Sequence, residues 1–199
     1  MTKKIFLFSI AILFLFTASS SAQIGLSVKG QGTYGLLLKP DIQEAGLPEE
    51  KLTKGGLAFS GQLLYRVVGK ILSLGVEVGY LSCWKDEYRD PGSGLKVELS
   101  LSAVPVLGII QLEAPLPLLS PYLQIGPGVY PLTSKIEIPT LDVETKDTET
   151  EFGVMFAAGV AIPLMPKVNL DLGGKLHLIF TEGESTIMFN PGAGILVRF

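Results

Sequence analysis

Apolar and polar residues alternate one for one along most of this chain. From Leu95 to Ile109 one face carries Leu95, Val97, Leu99, Leu101, Ala103, Pro105, Leu107 and Ile109, and the other begins Lys96, Glu98, Ser100, Ser102. A period of two is that of a β-strand with one apolar and one polar face. The stretch is longer than the five or six residues or so of an ordinary soluble strand, and a tilted strand needs roughly 9–11 residues to cross a bilayer. The same alternation recurs over Leu26–Leu36, Leu57–Val67, Leu72–Tyr80, Leu123–Tyr130, Phe152–Ile162, Val168–Leu178 and Ile187–Phe199. Eight strands are therefore predicted, an even number, as a single-chain bacterial membrane barrel requires. Their apolar faces are essentially free of charge.

The connections alternate as well. Long polar segments at Lys39–Lys54, Asp86–Gly94 and Ile136–Thr150, and a short one at Thr181–Ser185, are separated by tighter turns at Val68–Ile71 and Leu164–Lys167 and by the proline-rich Glu113–Ser120. Long loops on one side and short turns on the other is the pattern of an outer-membrane barrel.

The start of the chain reads differently. Lys3 and Lys4 precede the unbroken apolar run Ile5–Phe16, and Ser20 and Ala22 fit small-residue cleavage before Gln23. Residues 1–22 are expected to be a secretory signal peptide, because the apolar run is shorter than the ~20 residues of a spanning helix. Residues 23–199 then form one domain. Without Lys3 and Lys4, 14 of the 16 basic residues remain against 19 acidic ones, a net charge of −5, which offers nothing to nucleic acid. The single cysteine, Cys83, has no internal disulfide partner. Mean hydropathy is high, +0.43, yet the longest nearly uncharged region, Leu99–Ser134, holds six prolines that would break a helix. A hydrophobic exported chain without spanning helices points to the other structure stable in lipid, a closed barrel.

Three stretches carry a family likeness: SLSAVPVLGIIQLEAPLPLLSPYLQIGPGVY (Ser100–Tyr130), VNLDLGGKLHLIF (Val168–Phe180) and the terminal GILVRF. They resemble the small eight-stranded outer-membrane β-barrels of Gram-negative bacteria, the OmpX/OmpA-like group, over the whole mature chain. The resemblance implies an all-β, up-and-down antiparallel transmembrane barrel in the cell outer membrane. It also implies that Ala193, Ile195, Val197 and Phe199 act as an assembly signal, a terminal Phe with apolar residues at every second position before it being read by the barrel-assembly machinery. Outer-membrane lipid and lipopolysaccharide are the expected surroundings, and a monomer the expected state.

Eight strands enclose a space that side chains can just fill. The inward residues Lys29, Arg66, Glu77, Lys96, Glu98, Glu151, Asp171, Lys175, His177 and Arg198 are expected to form a paired polar plug, since unpaired charge in a water-poor lumen is expensive. His177, the only histidine, lacks the serine two residues on that lipid A deacylases carry; Ile179 stands there. It is expected to belong to the plug, and no catalytic residue, cofactor or metal site is assigned. Cys83 is expected to be a small buried hydrophobe, and Trp84, Tyr80, Tyr88 and Tyr34 to be interfacial anchors. The acidic segment Ile136–Glu151 shows no ligand spacing for a cation. The expected function is structural or surface-interacting: membrane integrity, adhesion or host contact. A narrow channel for ions or small solutes and a lipid-modifying enzyme are the alternatives.

The assigned faces are testable. Val76→Lys puts a charge in the lipid band at a cost of about 2–4 kcal/mol and should impair assembly far more than Glu98→Gln. Equal tolerance of both in a heat-modifiability gel would rule out the register.

Overall fold

Each of the eight alternating stretches forms a strand in the computed structural model, which describes residues 25–39, 55–68, 71–89, 96–139, 143–181 and 185–199. The expected signal peptide and nearly all of Lys39–Lys54 lie outside the described residues. The strands are β1 (Leu26–Lys39), β2 (Gly56–Val68), β3 (Leu72–Arg89), β4 (Lys96–Ala103), β5 (Val106–Glu113), β6 (Ser120–Ile138), β7 (Val143–Met165), β8 (Val168–Phe180) and β9 (Ser185–Arg198). β4 and β5 are two halves of one barrel strand: both lie between β3 and β6, and the break falls at Val104 and Pro105. Gly79 N–H donates to the Pro105 carbonyl and Val104 N–H to that of Pro131, so the sheet remains stitched across the break. All neighbours are antiparallel, and β1 pairs with β9. The molecule is thus a closed eight-stranded antiparallel barrel. No described helix is long and apolar enough to cross a membrane.

Seven of the eight strands face as the alternation predicts. The fourth is corrected. Ala103, Leu107 and Ile109, expected on the lipid face, point inward: Leu107 is 1% and Ile109 2% exposed, against 45% for both Val106 and Ile110. After Ser102 both faces of this strand are apolar, so alternation alone is a tie. Gln111 and Glu113, 4% and 5% exposed, break it by going inside. The same register turns Lys96 and Glu98 outward, away from the lumen.

The acidic segment predicted as a loop is largely sheet. β6 runs on to Ile138 and β7 starts at Val143, in unbroken register from Ser120↔Ala161 to Ile138↔Val143. Cross-strand partners hold this extension. Lys135 Nζ lies 3.4 Å from Glu144 across the hairpin, as well as 2.8 Å from Glu137 on its own strand, and the Thr133 and Thr148 hydroxyls are 3.2 Å apart.

The seam between β4–β5 and β6 carries the most prolines. Ala114 and Val104 on the β4–β5 side donate to the carbonyls of Pro121 and Pro131 in β6. In an antiparallel ladder the groups of every second residue point to the same neighbour. Pro121, Pro127 and Pro131 are all odd-numbered, so all three withhold their missing N–H from the β5 seam and none from the β7 seam. The register between β5 and β6 is interrupted opposite Pro127. Amide exchange of the barrel in lipid nanodiscs should therefore be faster at Ile110, Leu112, Leu123 and Ile125 than at Val154, Phe156, Leu176 and Leu178 on the β7–β8 seam. Equal protection of both sets would show that the prolines do not loosen the wall.

Candidate functional site: the filled lumen

Alternation sends one residue in two into the barrel, and toward the end where the chain termini lie those residues are polar. Lys29 from β1 meets Asp171 from β8 at 2.9 Å. Tyr122 from β6 closes this group, accepting from Lys29 Nζ at 2.8 Å and donating to Asp171 at 3.2 Å. Gln31 adds an amide donor to the same carboxylate. Lys175 from β8 meets Glu77 from β3 at 2.6 Å and donates to Ser60 Oγ at 2.7 Å. Arg198 from β9 meets Glu113 from β5 at 2.6 Å. The last two pairs join strands on opposite sides of the barrel, as Lys29 and Tyr122 do in the first group, so each group is a rod across the lumen.

Three glutamines connect the last two rods. Gln62 donates to Glu77 and exchanges hydrogen bonds with Gln124 at 3.0 and 3.2 Å. Gln124 donates to Gln111 at 2.6 Å, and Gln111 to Glu113 at 3.2 Å. A continuous chain of hydrogen bonds therefore runs from Ser60 through Lys175 and Glu77 to Arg198. Lys29, Glu77, Asp171 and Lys175 are all 3% exposed or less. Buried charge is tolerable when it is paired and hydrogen-bonded; the pairing is complete here, while Asp171 Oδ1 and Arg198 Nε are left without a hydrogen-bond partner.

Toward the other end the lumen is apolar, which differs from the expected polar plug. Leu81, Cys83, Ala103, Leu107, Ile109, Met155, Ile179 and Met188 form a buried core. Cys83 is free and fully buried, as expected of a small hydrophobe. His177 stands at the junction of the two halves. Its Nδ1 lies 3.0 Å from the Tyr130 hydroxyl, its ring meets Tyr130 edge to face, and its Nε2 is buried without a partner. It touches neither Lys175 nor Asp171 through a hydrogen bond. Two glycines make this packing possible. A Cβ on Gly153 would lie 2.6 Å from the Tyr130 ring, and one on Gly159 the same distance from Cζ of Tyr122, so each tyrosine occupies space that a side chain on the wall would take.

The structure thus gathers Lys29, Glu77, Asp171, Lys175 and Arg198 into the lumen, with His177 above them. Arg66 reaches only the terminal mouth, beside Arg198. Glu151 lines the opposite mouth with Asp147 and Glu149, part-exposed rather than in the packed network. Lys96 and Glu98 are corrected to the outer wall: the Glu98 carboxylate sits 2.7 Å from Lys96 and 3.0 Å from Lys85. Hydrogen bonds from Lys96 and then Lys85 hold its pKa down at about 2. Paired charges on an outward face place this part of β3 and β4 above the hydrocarbon. Ala193, Ile195, Val197 and Phe199 lie on the outward face of β9, which pairs with β1 from Ser27↔Arg198 to Lys39↔Ile187. Tyr34 and Tyr80 face outward, while the side chains of Trp84 and Tyr88 lie outside the described residues.

The residues that the sequence pattern does not reveal are Glu113, Tyr122, Tyr130 and the three glutamines. Glu113 precedes Ala114–Pro117, a strong turn signal that draws it into the connection. The glutamines carry no charge and so give no sign of an ionic network, though Gln62 and Gln124 do occupy the inward phase of their strands.

A closed sheet with an apolar outer band and a lumen filled by its own side chains defines a small transmembrane β-barrel of the outer-membrane type. Solved structures share that fold. The chain is similar to Neisserial surface protein A, with 15% identity, 88% of this chain and 96% of that one covered, and a TM-score of 0.50. It is similar to Ail, the attachment invasion locus protein of Yersinia pestis, at 13% identity over 89% and 100% of the two chains, TM-score 0.51. It is also similar to a major outer membrane protein from Thermus thermophilus, at 14% identity over 89% and 100%, TM-score 0.59. At such identities the likeness is one of fold. No protein-family model and no curated protein matches the chain in sequence.

Removing one partner of a buried pair leaves the other uncompensated. Lys175→Met should lower stability by about 3–5 kcal/mol, measured by urea unfolding of the refolded barrel, and Lys175→Met with Glu77→Leu should recover most of that loss. A single-variant cost no larger than that of an exposed lysine would show that the pair is not buried in the folded barrel.

Proposed function

We propose that the chain is a resident barrel of the outer membrane, exported by a cleaved signal peptide, whose lumen is a plug and whose work is structural or surface-interacting: membrane integrity, adhesion or host contact. The observation that carries this reading is the set of three charge pairs filling one half of the lumen, in contact with an apolar layer that fills the other. An ion path would need a continuous file of water-accessible groups. Here Lys29, Glu77, Asp171, Lys175 and His177 are each closed off from solvent. Catalysis is disfavoured by the same burial, because His177 is covered by Tyr130 and faces away from lipid. The names of two proteins of similar fold, a surface protein and an attachment protein, agree with a surface role.

Outer-membrane lipid and lipopolysaccharide surround the barrel in this reading, and the lysines of the outer wall, Lys85, Lys96 and Lys135, stand at the height of the lipid headgroups. The outward apolar series ending in Phe199 is presented to the assembly machinery before β9 closes on β1. The folded barrel works as a monomer, without cofactor or nucleic acid.

Single-channel recording of the refolded mature chain in a planar bilayer tests the plug. Silence is expected. Reproducible, salt-dependent steps would make the lumen charges the lining of a channel and overturn the proposal.

A further inference from the structure

The charges packed inside the lumen balance, and the unpaired ones stand at its two mouths. Lys29 with Asp171, Lys175 with Glu77 and Arg198 with Glu113 are three neutral pairs. Arg66, at the end of β2, is a fourth inward cation. It feels the charge of Glu113, but also that of Arg198, the residue Glu113 already binds. Among the described residues Arg66 forms no ion pair of its own. Arg198 is not fully used either: one terminal nitrogen reaches Glu113, while its Nε is buried with no partner. Two guanidinium groups thus share one carboxylate.

Both open into a cavity of about 740 Å³ at the mouth that carries the chain termini. Lys167, from the turn between β7 and β8, adds a third positive charge to its wall, with Asn169 and Ser120 as further polar groups. Among the described residues no Asp or Glu side chain lines it. The rest of the wall comes from the turns Pro115–Pro117 and Pro163–Pro166, which are apolar, and from Phe199, whose carboxylate is the one acidic group among the lining residues, against three cations. Cations that line a cleft with low-dielectric walls raise the local concentration of anions. A guanidinium fork matches the oxygens of a phosphate two at a time.

We propose that this mouth is a binding site for a phosphate group, with Arg66 and Arg198 as the forked donors and Lys167 as the point charge. The bound dianion gives Arg66 the counter-charge it lacks. The site shares Arg198 with the plug, which it caps. Its periplasmic address rests on the outer-membrane reading above, whereas binding itself is measured on the isolated barrel and stands or falls separately.

The test uses the refolded full barrel at low ionic strength. In nanodiscs of phosphatidylcholine, titration with inorganic phosphate should give one site per barrel by calorimetry. Arg66→Gln and Lys167→Gln should each weaken it about tenfold or more, the loss of one charge-assisted hydrogen bond. Lys146→Gln, an equal change of charge near the opposite end, should leave it unchanged. Heat-modifiability on a gel confirms that each variant is folded, and Lys167, being on an exposed turn, cannot act by unfolding the sheet. A second arm uses nanodiscs doped with phosphatidic acid and free of inorganic phosphate, with phosphorus NMR as the readout. Binding in the first arm identifies a soluble phosphate, and binding in the second alone identifies a lipid headgroup. No binding in either arm, or equal weakening by Lys146→Gln, overturns the proposal.

Discussion

A backbone N–H or C=O inside hydrocarbon has no water to fall back on, so it must find its partner within the protein. Everything else in this structure follows from that constraint. A sheet satisfies it only by closing, and here closure is the pairing of β1 with β9 over most of their lengths. Once the sheet is closed with eight strands, the space inside is fixed and narrow. Whatever the inward residues are, they must pack against one another.

The two halves of the lumen solve that packing problem differently. One is an apolar core such as a soluble protein would have, with Ile109 of β5 and Met155 of β7 both packed over Gly126 of β6. The other buries six charges as three pairs and links two of those pairs through Gln62, Gln124 and Gln111. An apolar filling of the same volume would avoid the cost of removing charges from water. Long polar side chains on every second position, however, keep a strand's two faces distinct in water and in lipid, and a slip of one residue would put Lys175 or Asp171 into hydrocarbon. The pairs therefore fix register as well as filling space.

The wall is not uniform around its circumference, and neither are its ends. Three prolines of β6 thin the ladder along a single seam, while the β6–β7 hairpin beyond the membrane band is bridged by Lys135 and Glu144 and by Thr133 and Thr148. At one mouth Asp147, Glu149 and Glu151 gather; at the other stand Arg66, Lys167 and Arg198. The filled lumen between them separates the two mouths, so any ligand of either is recognised from its own side of the membrane.

Much of this was legible in the chain itself, because lipid and lumen impose a two-residue period with the uncharged face outward. The number of strands, the outward face of seven of them and the inward placement of Lys29, Glu77, Asp171, Lys175 and Arg198 follow from that period. It failed on the fourth strand: between Ala103 and Ile109 both faces are apolar and alternation carries no information, and from Lys96 to Ser102 the polar face is the outer one, so polarity there does not mark the lumen. It also could not show which inward groups meet. Glu113 and Arg198 are 85 residues apart and Lys175 and Glu77 are 98, and no local pattern encodes a distance across a barrel. The strand period sets which side of the wall a side chain occupies; only the tilt and stagger of the closed sheet set what stands opposite it.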